Sequence, residues 1–270
     1  MRPALVLLTC VLNAAVCQAQ WLSSPTPGIP RLADGKPDLN AAVPRTNYGK
    51  PDLSGVWRRA ADDTNSTTAL ASGLGEIPLH PSARELYNRR LAVDGAGRPA
   101  ERCLPHGLPL DMMFREAPFR IVQTPTLTVI LLEMFTRFRQ IPTDGRRLVL
   151  DPQPTWYGYS TGRWDAEEFV IDTVGFNDQT WLDNRGLPHT DALHLTERFK
   201  RLSVGRMDLT FTFDDPRPTH DPGVSRQSSS FCLTQICSSI CVTTKNGRPL
   251  TPNRGKRRRW TTAWPGPLKL

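Results

Sequence analysis

Long apolar runs are scarce in this chain. The one clear example, Ala4 to Val16, lies at the N-terminus, is broken by Thr9 and Asn13, and is too short to cross a bilayer comfortably. No later stretch has the length or apolarity of a membrane span, so none is expected once the N-terminal segment is removed. Metal-type cysteine patterning is missing too: no cysteine pair has zinc-ligand spacing with a second pair behind it. There is no phosphate-binding glycine loop and no dinucleotide fingerprint. These gaps leave no cofactor and no metal to expect, and they remove the nucleotide-dependent enzyme classes.

Charge is plentiful but badly distributed. The chain carries a net +8, with 34 Lys+Arg against 26 Asp+Glu. From Pro218 onward there are nine basic residues, including the run Lys256 to Arg259, and one acid, Asp221. The tail alone therefore accounts for the excess, and residues 1–217 are neutral. The body has no electrostatic footprint for a phosphate backbone, so no nucleic-acid partner is expected.

What is present begins with export. Arg2, the apolar run and the small residue Ala19 form a secretory signal peptide, 1–19, cleaved after Ala19, which places the mature protein in the periplasm or outside the cell. Of six cysteines, Cys10 and Cys17 leave with it. Cys103, Cys232, Cys237 and Cys241 remain, with three disulfide connectivities open. Residues 20–52 form a Pro-rich extended leader holding a short duplication, Asp34-Gly35-Lys36-Pro37-Asp38-Leu39 and Tyr48-Gly49-Lys50-Pro51-Asp52-Leu53. Two copies are too few for a repeat fold.

Residues 53–217 read as one β-rich domain. Pro81 suits a first helical position and residues 82–93 have helical spacing, with Gly95 just past the end. From Phe119 the pattern is strand, turn, strand. Phe119–Thr124, Leu127–Phe135, Thr136–Pro142, Gly162–Asp165, Glu168–Val174, Leu195–Leu202 and Arg206–Phe213 are the expected strands. With one or two short helices among so many strands, the expected fold is mainly β: an antiparallel sheet that curls or closes like a barrel, which would remove exposed edges. Gly55-Val56-Trp57 resembles the Gly-X-Trp phrase that opens lipocalin-like barrels, where the tryptophan plugs the closed end.

Residues able to carry chemistry are few. His189 with Glu197 or Asp172 has the composition of an acid–base pair in a barrel mouth, as a secreted hydrolase or isomerase would need. His189, Asp191 and His194 are spaced as three metal ligands might be, but they follow no metal signature and fall where loop runs into strand. Ser160 in Gly158-Tyr159-Ser160-Thr161-Gly162 matches a nucleophile elbow in letters only, because no helical period follows it. Trp156, Trp164 and Trp181 are candidates to line a ligand cavity, with Arg163 and Arg198 to hold an acidic group; each tryptophan equally suits a core, and each arginine a neighbouring acid. The leading expectation is a binding protein for a small apolar ligand inside the barrel; the His/carboxylate enzyme is the alternative. An interaction module displayed by the leader has no specific feature behind it.

Several phrases occur in order: Gly49-Lys50-Pro51-Asp52-Leu53-Ser54-Gly55-Val56-Trp57, Cys103-Leu104-Pro105-His106-Gly107-Leu108-Pro109, Gly158-Tyr159-Ser160-Thr161-Gly162-Arg163-Trp164 and Thr196-Glu197-Arg198-Phe199. The set resembles a family of secreted proteins of acidobacteria and other soil bacteria, over residues 34–216. The resemblance implies export and a shared domain, and no activity. Two departures stand out. Ala166 follows Asp165 where the family pattern has glycine, so this hairpin is expected to be strained or rerouted. The family's closing Pro-Trp and Glu-Tyr-X-Cys phrases are absent as written, but back-translating the residues after Pro218 with permitted codons and shifting the frame allows both. Residues 218–270 are therefore expected to be a basic, disordered, out-of-frame tail, lacking the final strand and the cysteine that the family ending would offer Cys103.

Overall fold

The computed structural model describes residues 28–60, 79–114 and 117–215, and the backbone of 226–236. All of these lie within one compact unit, Met1–Ser239; a second unit, Ile240–Leu270, lies outside the described residues. So do the expected signal peptide, 1–19, and the Lys256–Arg259 run.

The domain is mainly β and antiparallel. Nine strands form one sheet: β1 (Gly55–Arg59), β2 (Phe119–Gln123), β3 (Leu127–Leu132), β4 (Arg137–Pro142), β5 (Tyr159–Asp165), β6 (Glu168–Val174), β7 (His194–Arg201), β8 (Arg206–Asp214) and β9 (Arg226–Ile236). Their order is β4-β3-β2-β1-β9-β8-β7-β6-β5. Apart from the join of β9 to β1, neighbours in the sheet are neighbours in the chain. The sheet curls without closing. β4 and β5 stand at opposite ends of the order, yet the Arg139 guanidinium on β4 donates to the Ser160 hydroxyl on β5, 3.2 Å away. A Cβ added to Gly162 would meet Ile141 of β4 at 2.9 Å and Phe169 at 2.5 Å, which is why the strand needs glycine there. With every pairing antiparallel, nine strands leave β4 and β5 running in the same direction. The chain must therefore travel back the length of a strand between them, and residues 143–158 do this in place of a tight turn.

Period-two alternation builds the core. Trp57, Phe119, Ile121, Ile130, Ile141, Phe169, Ile171, Leu195, Phe199, Met207, Leu209 and Phe211 point inward and are buried. Trp57 is fully buried: its indole N–H donates to the Leu53 carbonyl at 2.9 Å, and the Arg201 guanidinium lies 5.0 Å from its ring. Helix α1 (Pro81–Ala92) starts on the expected proline, capped by His80. It packs through Tyr87 onto Asp183 and through Arg90 onto the Gly186 carbonyl. A four-residue helix, α2 (Leu110–Met113), lies wholly buried.

Two expectations need correction. First, the stretch after Pro218 is not without regular structure. Arg226–Ile236 is strand β9, with Leu233 in register opposite both Arg59 of β1 and Met207 of β8. A backbone ladder asks little of side-chain identity, and β1 and β8 would otherwise each present an open edge. Second, residues 28–53 are not simply extended. The duplication folds as two copies of one ring. The Arg31 and Arg45 guanidiniums donate to the Gly35 and Gly49 carbonyls, and the Leu32 and Thr46 N–H groups to the Lys36 and Lys50 carbonyls. Of the two outcomes expected for the Asp165–Glu168 hairpin, strain is the one that occurs: Asp165 still faces Glu168, and Ala166 takes a left-handed φ of +50° to make the turn.

Candidate functional site

The three expected catalytic side chains stand in three places. His189 is buried in the loop before β7. Its Nδ1 lies 2.9 Å from the Thr190 carbonyl and so carries the proton; its Nε2, 2.6 Å from the Thr180 hydroxyl, accepts. Burial lowers its pKa and keeps the ring neutral, against the opposing pull of the Thr190 carbonyl. No carboxylate hydrogen-bonds to it. Asp172 lies on the outer face of β6, where His194 (3.0 Å), the Thr196 hydroxyl (2.8 Å) and Arg163 all donate to it. Glu197 points inward from β7. The His189–carboxylate pair is therefore not formed. Alternation sends Asp172 out and Glu197 in, and the histidine that meets Asp172 is His194. Among the described residues, no three His, Cys, Asp or Glu side chains are grouped to hold a metal. Ser160 lies within β5 and not at a strand-to-helix turn, so the elbow reading fails as well.

The expected ligand-binding residues do not converge either. Trp164 packs inside β5 with its ring 5.2 Å from Phe169. Trp181 is buried beside α1 with Arg90 stacked 4.4 Å from its ring. Trp156 is half-buried in the segment leading into β5. Arg163 is committed to Asp172, and Arg198 to Asp165 (3.1 Å) and Glu168 (3.2 Å), all on the outer face.

The polar chemistry gathers instead behind the open seam. Arg139 and Glu197, both inward-facing and almost wholly buried, form a two-point ion pair with N–O distances of 3.0 and 2.5 Å. The Ser160 and Thr173 hydroxyls, 2.9 Å apart, and the Met112 sulfur take further contacts from the guanidinium. Arg139 Nε has no acceptor among the described residues. Beside this cluster the Tyr157 hydroxyl donates to the buried carboxylate of Asp111 at 2.5 Å, and His106 Nδ1 lies 3.1 Å from its other oxygen. Burial, with Asp111 alongside, pushes the Tyr157 hydroxyl far above its usual range, so it stays protonated. Between β4 and β5 the seam opens into a cleft of about 280 Å³. Phe138, Tyr157, Tyr159, Leu148 and Val149 supply its apolar and aromatic wall, with Arg139 and Ser160 bordering it.

Arg139 and Glu197 went unremarked as a pair in the sequence, yet both sit at the core phase of an alternating strand: Arg139 shares a face with Ile141, and Glu197 with Leu195 and Phe199. A charge at a core phase requires a partner. Two such charges of opposite sign were the readable signal.

No protein-family model matches the chain, and no curated protein matches it. Among solved structures, a crystal structure of a point mutant of the fluorescent protein UnaG aligns with a TM-score of 0.32 at 13% identity, over 68% of this chain and 94% of that one. A likeness at that level says nothing about site or ligand.

Proposed function

We propose that the domain is a binding protein for a small, mainly apolar ligand, held in the seam cleft and not along the barrel axis. The observation that supports this reading is the cleft itself. Its aromatic and aliphatic wall offers apolar contact, while Gln140, Arg146, Arg147, Ser160 and Thr161 supply the polar part of its lining. Concave, mostly apolar sites with a few convergent polar groups are the usual form of a small-molecule pocket. The axis is a poor alternative, because Trp57, Phe119, Phe169, Phe199 and Phe211 fill it. We place this binding in the periplasm or outside the cell, on the strength of the N-terminal export segment. We also assign the chain to the secreted soil-bacterial group whose phrases it carries, with the residues after Pro218 read from a shifted frame.

The test is a fluorescence titration of the full chain with 1-anilinonaphthalene-8-sulfonate, an apolar aromatic probe. Saturable binding is expected, and Val149→Asp at the exposed wall should weaken it about tenfold by removing roughly one valine's worth of apolar contact. Equal affinity in Val149→Asp, or no saturation in the unmodified chain, would refute the cleft.

A further inference from the structure

The outer face of β1–β4 breaks the rule that the rest of the sheet obeys. On an antiparallel sheet with one packed face, outward residues are normally polar. Here one row across four strands reads Val56, Arg120, Leu131, Phe138, each directly opposite the next. The next row brings Val122 opposite Val129. Phe138 is 61% exposed, Leu131 43% and Val122 40%. The apolar surface continues past Phe138 along the cleft wall to Val149 and on to Leu150, which is 92% exposed. A hollow of about 250 Å³ lies within it, walled by Val56, Pro118, Leu131 and Arg120.

Its charges are equally distinctive. Arg58, Arg120 and Arg147 are exposed, and none has an ion-pair partner among the described residues. Glu133 lines the hollow itself, Asp144 and Asp151 lie on the margin, and Asp144 is already engaged by Arg146 at 2.6 Å. The surface therefore combines exposed aromatic and aliphatic side chains with three arginines, against two acids, that are unpaired among the described residues. That combination matches an anionic lipid surface, where apolar side chains enter the headgroup boundary and each nearby cation adds to the attraction. We propose that the domain docks peripherally on anionic lipid through this face, with Phe138, Leu131, Val149 and Leu150 as the inserted residues and Arg120 and Arg147 as headgroup contacts. Phe138, Val149 and Arg147 also line the cleft, so docking and cleft binding share part of one surface, while Arg120 and Leu150 belong to the docking face alone.

The experiment is co-flotation of the full chain with two kinds of vesicle: dioleoylphosphatidylcholine alone, and the same lipid mixed with dioleoylphosphatidylglycerol. The basic run Lys256 to Arg259 can bind anionic vesicles by itself, so every variant is also made with those four residues changed to serine. Phe138→Ser with Leu150→Ser, and separately Arg120→Glu with Arg147→Glu, should each cut partitioning onto the anionic vesicles about tenfold, in both tail backgrounds. All four side chains are exposed, so melting should be unchanged. Three results would overturn the proposal: face variants that bind as the unmodified chain does, binding lost only when the tail is neutralised, or no preference for the anionic vesicles. Gel filtration in which Phe138→Ser converts a dimer to a monomer would assign the face to a second copy of the chain instead.

Discussion

The two four-stranded halves of the sheet, β1–β4 and β5–β8, share an inner design and differ outside. Inward, both present alternating large apolar side chains, and a single ion pair, Arg139 to Glu197, ties one half to the other. Outward, the β5–β8 half is laced with ion pairs: Arg163 with Asp172, Arg198 with Asp165 and Glu168, and Lys200 with Glu168. Arg45 of the leader closes that pattern on Glu167 at 2.7 Å. The β1–β4 half has exposed valine, leucine and phenylalanine beside arginines unpaired among the described residues. Exposed pairs contribute little stability each. The difference is thus one of solvation more than of strength: one half is finished as a water-facing surface and the other is not. The seam cleft lies where the two meet.

Breaking the comparison most completely means cutting the strand that joins the halves. β9 is bonded on both sides, so Leu233→Pro removes a ladder donor in mid-sheet and costs about 3 kcal/mol or more. Thermal melting followed by circular dichroism should fall by roughly 6–12 °C, at about 2–4 °C per kcal/mol for a domain of this size, and two transitions should replace one. An unchanged melting temperature would mean that β9 does not pair, and would return the tail to the unstructured reading.

The ion pair across the interior comes next. Arg139→Met alone strands the Glu197 carboxylate in the core and should cost about 3–5 kcal/mol. The double variant Arg139→Met with Glu197→Leu should recover most of that loss, because two apolar groups need no partners. If the double variant melts as low as the single, the pair contributes net stability beyond mutual neutralisation.

How much of this was legible in the sequence follows from what each kind of signal reports. The strands β2 to β8 and helix α1 were readable because alternation, Pro81 and Gly95 act locally. The existence of a seam was not. It depends on an odd number of antiparallel strands, and reading the residues after Pro218 as out of frame leaves no place for β9, although a backbone ladder tolerates almost any side chains. The site misled for a related reason. His189, Asp172 and Glu197 lie close in the chain, but burial and strand phase send them to a loop core, an outer face and the interior. The pair that matters, Arg139 with Glu197, is distant in sequence and visible only when strand phase is applied to charged residues as strictly as to apolar ones.

A finer probe of the paired half is pH. Burial alone would raise the Asp172 carboxyl, but hydrogen bonds from His194, Arg163 and Thr196 outweigh it and hold the pKa well below the ordinary carboxylate range. A group whose folded pKa is depressed stabilises the fold above its unfolded value, about 3.9, and loses that contribution as pH falls toward the folded value. The unmodified chain should therefore melt a few degrees above Asp172→Asn at neutral pH, with the gap closing below about pH 4. A gap that persists in acid would mean that the carboxylate's charge is not what holds these strands.

The smallest expected effect concerns the turn that joins β5 to β6. Ala166 sits at φ +50° between paired Asp165 and Glu168, a conformation that costs an L-residue roughly 1–2 kcal/mol and glycine almost nothing. The strain persists because the residues around it fix the register: Arg198 bonds both Asp165 and Glu168, and Arg45 holds Glu167. Replacing Ala166 with glycine relieves the steric cost, while the greater freedom of glycine in the unfolded chain takes back part of the gain. The net is about 1 kcal/mol, or roughly 2–4 °C in melting temperature. Because the surrounding ion pairs are untouched, this gain should add to the Asp172 effect without changing its pH dependence. A loss of stability in Ala166→Gly would show that the turn does not need a left-handed residue, and that the ion pairs of this half hold a relaxed hairpin and not a strained one.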